Sequence, residues 1–297
     1  MNKTKFFHYV PKFYLRNFSI PEIDNVIWCF DKVTSKTFAA DIRNIGCAKD
    51  FYDEDSEKYL SNFESQINPV CKKLVKTGDL GKLNWNERVT MATFVAIQDT
   101  RTQEARIALK EIGETLIGKI VETMPIRVEM TDKEIRKHLS KFIAAKVEVL
   151  AKGTQTRLLK EAINSLAEML LGLEWILIEN KTNMLLWTSD NPVNKYNPIK
   201  PPADLGNLGY LSPGIEIFLP LSPNLCLCLC DLGSHKLIPS EKMVMRSKQN
   251  VIYQNHIQLA QSSRHIFSQN SDFKLAVKIL EDQPSLRDPQ RKRVISS

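Results

Sequence analysis

The hydrophobic period changes twice along the chain, and this constrains the fold more than any short motif. Residues 26 to 32 (VIWCFDK) and the TFAAD stretch at 37 to 41 have strand character around a turn at Thr34 to Lys36, which predicts a hairpin. From about 56 to 171 the apolar residues instead recur every three or four positions, as on one face of a helix. Helices are expected over 56–76, 85–124, 132–151 and about 157–171, with Asn84, Thr131 and Asp132 as N-cap candidates, Gly78 as a stop and Gly153 as a break. Strand character then returns. LEWILIEN (173–180) and NMLLWTSD (183–190) read as a second hairpin about a turn at Asn180 to Asn183, and IEIFLPLSP (215–223) and LCLCLCD (225–231) as two further strands. A helix from about 241 to 262 and a short apolar RHIFS (264–268) follow. Strands at both ends of a helical middle imply an α+β fold, with a mixed or antiparallel sheet assembled from N-terminal and C-terminal strands. The 297 residues are expected to form a single domain with a helical bundle inserted over about 56–171. The Pro- and Gly-rich stretch 191–214 is long enough to be a lid or a binding loop.

Composition excludes several classes. A hydrophobic fraction of 43% with 25% charged residues is unlike a disordered, fibrous or membrane chain. The longest apolar run, near Met169 to Ile178, is interrupted by Gly172 and Glu174 and falls short of the roughly 20 residues a bilayer span needs. No membrane partner and a cytoplasmic location are therefore expected. Six cysteines in so long a chain do not describe a disulfide scaffold. Cys226, Cys228 and Cys230 alternate with leucines, which places their sulfurs on one face of a strand; a buried strand explains this better than a metal site, which would need a further ligand such as His235. Phosphate loops, dinucleotide fingerprints, HExxH helices and GxSxG elbows are all missing, so no cofactor is evident. A divalent cation shared by Glu64 and Asp190 is the remaining metal reading. The net charge of +7 points to an anionic partner, nucleic acid among them. Arg287, Arg291, Lys292 and Arg293 lie in a basic tail, 286–297, that is expected not to fold.

Polar residues also stand where apolar ones belong. Projected at about 100° per residue, Phe94, Ala105, Ala108, Ile112 and Leu116 fall on one stripe that also contains Gln98 and Arg101. The stripe Leu60, Phe63, Ile67, Cys71 and Leu74 likewise contains Glu64. A buried Arg and a buried Glu are each costly alone, so Arg101 and Glu64 are expected to meet in the interior. His8 stands in an apolar segment, and Asp190 and Asn191 at a strand end before Pro192, where side chains project into clefts. Each has a bland reading: a core histidine bonded to a carbonyl, a structural ion pair, and turn residues bonding their own backbone.

Short segments also occur in a familiar order: HYVPKFYLRNF at 8–18, QDTRT at 98–102, TSDNPV at 188–193, IFLPLSP at 217–223 and NHIQLAQSSRHIFS at 255–268. In this the chain resembles, over nearly its full length, a large and mainly bacterial family catalogued as domain of unknown function 4238. The resemblance implies that His8, Arg101, Asp190, Asn191 and Pro192 match recurring motifs, and it brings no reaction with it. The family pattern commonly has Pro after the Arg–Thr pair, where this chain has Gln103.

Two functions follow as expectations. One is a hydrolase of the phosphoesterase or nuclease type, with His8, Glu64 and Asp190 as catalytic residues and Gln98, Arg101 and Asn191 binding an anionic substrate. The other is a non-enzymatic ligand- or partner-binding module in which the same cluster is structural. An open pocket containing these side chains favours the first, and a sealed, paired network the second.

Overall fold

A computed structural model describes residues 6–123, 132–161, 165–199, 206–231, 233 and 241–292. In chain order its elements are β1 (Phe6–His8), α1 (Lys12–Leu15), β2 (Val26–Asp31), β3 (Lys36–Asp41), β4 (Cys47–Lys49), α2 (Glu54–Thr77), α3 (Trp85–Thr100), α4 (Gln103–Thr123), α5 (Asp132–Glu161), α6 (Ala167–Leu171), β5 (Glu174–Asn180), β6 (Thr188–Ser189), β7 (Asn194–Tyr196), β8 (Glu216–Ser222), β9 (Leu225–Cys230), β10 (Lys242–Met245), α7 (Lys248–Gln261), β11 (His265–Ser268) and α8 (Lys274–Asp282). The fold is α+β, with helices inserted between strands from the two ends of the chain.

Strands from distant parts of the chain do join, but the single expected sheet is divided. The antiparallel sheet β3-β2-β11-β6 combines the N-terminal hairpin with C-terminal strands. A five-stranded mixed sheet, β10-β5-β9-β8-β7, is built from residues 174–245 alone, and β1 pairs with β4 in a small ladder. The alternation in β9 explains the five-stranded sheet. Leu225, Leu227 and Leu229 enter the main core with α2, α3 and the N-terminal aromatics, while Cys226, Cys228 and Cys230 enter a second core with Ile176, Ile178 and Val251. A strand buried on both faces reads as a continuous apolar run and takes a central place.

The same physics removes the expected hairpin at 173–190. β5 is apolar on both faces and pairs with β9 on one side and β10 on the other. The Asn180 side chain bonds Met184 O at 2.7 Å and receives the Thr182 amide at 3.0 Å, which turns the chain away, and only Thr188 and Ser189 rejoin a sheet, against β11.

Two helix boundaries fall where expected: Gly78 ends α2 at φ 58°, and Asn84 caps α3, forming a reciprocal capping box with Glu87. The start of α2 does not, since Asp53 caps it through the Ser56 amide and the helix begins at Glu54 rather than 56. The expected helix 85–124 is two helices. α3 stops at Thr100, and the Thr102 hydroxyl accepts from the Ala105 amide at 3.2 Å, capping a new start at Gln103. The break expected at Gly153 does not occur: α5 runs through it, as a lone interior glycine costs only about 1 kcal/mol. Residues 242–245 form β10 rather than helix, and α7 begins after the Ser247 cap. The tail expected to be unfolded from 286 is docked as far as 292. A 3-10 turn spans Pro284–Arg287, and the Arg291 side chain is largely buried. Thr131, His235, residues 200–205 of the expected lid and residues 293–297 lie outside the described residues.

Candidate polar site at the α3–α4 junction

β1 runs into Tyr9 and Val10, whose amides both donate to Gly46 O, at 2.8 and 3.0 Å. This leaves the carbonyls of His8 and Tyr9 directed at α3, where Arg101 receives them. Its Nε donates to Tyr9 O and its Nη2 to both His8 O and Glu64 Oε1, each at 2.9 Å. The expected Arg101–Glu64 pair therefore forms, but unequally, with the Arg side chain 1% exposed and the Glu 29%. Gln98 adds a second donor to Tyr9 O at 2.9 Å, and its own Oε1 is buried without a partner among the described residues. The Arg101 carbonyl in turn accepts the Tyr52 hydroxyl.

His8 and Glu64 sit at the outer edge of this cluster. His8 Nε2 lies 3.3 Å from Ile42 O, and burial, with the charges of Lys12 and Arg101, lowers its pKa despite that carbonyl and Glu64. Glu57, two turns before Glu64 on α2, has the opposite shift: burial raises its carboxyl, Glu64 adds to this, and Arg101 and Lys12 oppose it. The sequence hides Glu57 within the acidic first turn of α2, where a charge complementing the helix dipole is the ordinary explanation.

Asp190 and Asn191 form a second group. Asp190 Oδ1 accepts the Ser263 amide at 2.7 Å, and Oδ2 accepts the amides of Arg264 and His265 at 2.7 and 2.8 Å. Asn191 accepts the Thr102 hydroxyl at 2.8 Å and donates to Gln261 O at 3.0 Å. The two groups thus touch through consecutive residues, Arg101 facing one and Thr102 the other. From the opposite side the end of α7 is held by cations. Lys32 Nζ reaches Ser262 O at 2.5 Å, and Arg291 Nη2 reaches Ser262 O, Ala260 O and Glu104 Oε1 at 2.8, 3.0 and 2.8 Å. The cations at the helix-terminal carbonyls match the negative end of the helix dipole, and the Asp190 carboxylate is held there by its hydrogen bonds to the amides that follow. Lys32 was not legible as such, because in sequence it is only a lysine after a strand.

The model of one protein family, described as "Protein of unknown function (DUF4238)", matches residues 8–272. The chain belongs to the DUF4238 family. No curated protein and no solved structure matches it. The DUF4238 match takes in His8, Glu64, Gln98, Arg101, Asp190 and Asn191 and stops before Arg291. The family's Pro after Arg–Thr also finds a place: Gln103 is the first residue of α4, where proline's missing N–H and fixed φ suit a helix start.

Both oxygens of Asp190 hold backbone amides, and Glu64 Oε1 holds Arg101. Among the described residues no group of three His, Cys, Asp or Glu is placed to hold a metal. A cavity of about 710 Å³ opens along α4, and none of the six candidate residues lines it.

Proposed function

We propose that this protein is a non-enzymatic ligand-binding module in which the buried polar residues are architectural. One observation carries this reading: Arg101, Gln98 and Asp190 address backbone groups of distant segments rather than open space. Arg101 Nε and Gln98 Nε2 converge on Tyr9 O, and Asp190 takes three consecutive amides. The nitrogens and oxygens spent in this way can turn to a substrate only by giving up those backbone bonds. The ligand is anionic, in keeping with the net charge of +7, and nucleic acid belongs to the same class of partner. A cytoplasmic location is part of the proposal and is supported by all six cysteines being free thiols.

The hydrolase reading keeps a specific support. His8 and Glu57 border the cluster with pKa values moved down and up respectively, so a neutral imidazole and a reluctant carboxylate stand close to the Glu64–Arg101 pair. The test is an assay of the full chain against phosphomonoesters, phosphodiesters and single- and double-stranded nucleic acid, with and without Mg²⁺. No turnover above background is expected. Turnover that His8→Ala abolishes without lowering the melting temperature would overturn the binding module in favour of the hydrolase.

A further inference from the structure

The cavity along α4 is walled by Phe51 on one side, by Gln103, Arg106 and Lys110 from successive turns of the helix, and by Gln290 and Lys292 of the C-terminal segment. Its volume of about 710 Å³ lies within the usual range for small-molecule sites. We propose that it binds a nucleoside monophosphate or a close analogue, a planar ring joined to a single phosphate, which deepens and rests on the binding-module reading.

The ring is recognised by Arg106. Its Nε donates to Gln155 Oε1 at 2.8 Å and its Nη2 to Phe51 O at 2.7 Å, while its Cζ lies 3.6 Å from the centroid of the Phe51 ring. The guanidinium plane is therefore fixed by two hydrogen bonds and an aromatic face, and a fixed guanidinium plane is a stacking platform for a base. The phosphate is recognised by the ammonium groups of Lys110 and Lys292, which add to Arg106 as three cations on the cavity wall. Glu111 and Glu114, further along the same helical face, also line the cavity. Carboxylates there accept from hydroxyl or amino groups but repel a second or third phosphate, so the site favours a small monoanionic or dianionic ligand over a strand of nucleic acid.

The site is completed by the C-terminal segment. Arg291 pins that segment to Glu104 and to the end of α7, and the flanking Gln290 and Lys292 supply cavity wall. A ligand held between α4 and this segment binds only the docked form and so stabilises docking by mass action.

The experiment is calorimetric titration of the full-length protein with AMP, with adenosine and inorganic phosphate as controls, repeated on Lys110→Glu and Lys292→Glu. Both lysines are outside the polar cluster, and thermal melts of the variants establish that they fold. AMP is expected to bind saturably and more tightly than either control, and each variant to weaken it by roughly tenfold or more. Limited proteolysis is expected to show slower cleavage of residues 286–297 when AMP is present. No saturable AMP binding below about 1 mM, or equal affinity in wild type and both folded variants, overturns the site. Either result leaves the architectural reading standing, whereas hydrolysis of AMP in the same mixture would overturn the non-enzymatic reading and leave the site.

Discussion

Arg101 and Glu64 share one ion pair, yet their contributions to stability differ because their surroundings differ. Removing the guanidinium with Arg101→Met leaves the His8 carbonyl without its donor, the Tyr9 carbonyl with Gln98 alone and Glu64 without its cation. That loss is expected to cost on the order of 3–5 kcal/mol, the range for a broken buried pair. Glu64→Gln removes only the partly solvated partner and is expected to cost about 1 kcal/mol or less. Equilibrium urea unfolding of both single variants and the double variant measures the difference, and a non-zero coupling is required because the two are in contact. Glu57 supplies a pH test. Its folded pKa is raised above the ordinary carboxyl value of 4.5, so its favourable contribution is present at lower pH and is lost as pH rises through the folded value. Glu57→Gln is therefore expected to raise the melting temperature at pH 7 relative to wild type, with a smaller or no gain at pH 4. At this scale the sequence was informative about burial for Gln98 and Arg101, polar residues inside an apolar stripe that are buried, and less so for Glu64, which is paired but partly exposed. It was silent about partners, because Tyr9 O and the amides of 263–265 are backbone groups that any residue type supplies.

The α3–α4 junction shows what determines where a helix stops. Periodicity continues across it, and only the Thr102 hydroxyl, shared between the Ala105 amide and Asn191 Oδ1, divides the run. The first position of α4 is exposed at Gln103. Gln103→Pro is thus expected to be neutral or to stabilise by about 0.4–1 kcal/mol through the unfolded chain, read as a shift in urea midpoint. Thr102→Val is expected to destabilise, since it removes the cap and leaves a buried amide oxygen unpaired. Elements with a local signal were legible, such as the β2–β3 hairpin, the N-cap at Asn84 and the stop at Gly78. Those decided by distant neighbours were not. β5 resembled half of a hairpin because its own residues do not tell which strands will lie beside it, and β10 is a short edge strand whose parallel pairing to β5 depends on chain far away.

Over the whole molecule, the buried polar residues tie segments that are remote in sequence. Arg101 and Gln98 join the N-terminal segment to α3, Asp190 joins the end of β6 to the turn before β11, and Arg291 joins the C-terminal segment to α4 and α7. Contacts of this reach close a sheet drawn from both ends of the chain, which is why its architecture was legible only in outline. The basic residues of the tail looked like a solvated charge run, but Arg291 is matched by buried Glu104. Deleting residues 286–297 is accordingly expected to lower stability by several kcal/mol, on the order of 3, rather than to leave it unchanged, as a thermal melt would show. The most direct test of the architectural role is urea unfolding of Asp190→Ala. Loss of a carboxylate that holds three consecutive amides is expected to reduce stability by on the order of 3–5 kcal/mol at an unchanged m-value; a loss below about 1 kcal/mol, the scale of an ordinary surface substitution, would contradict it.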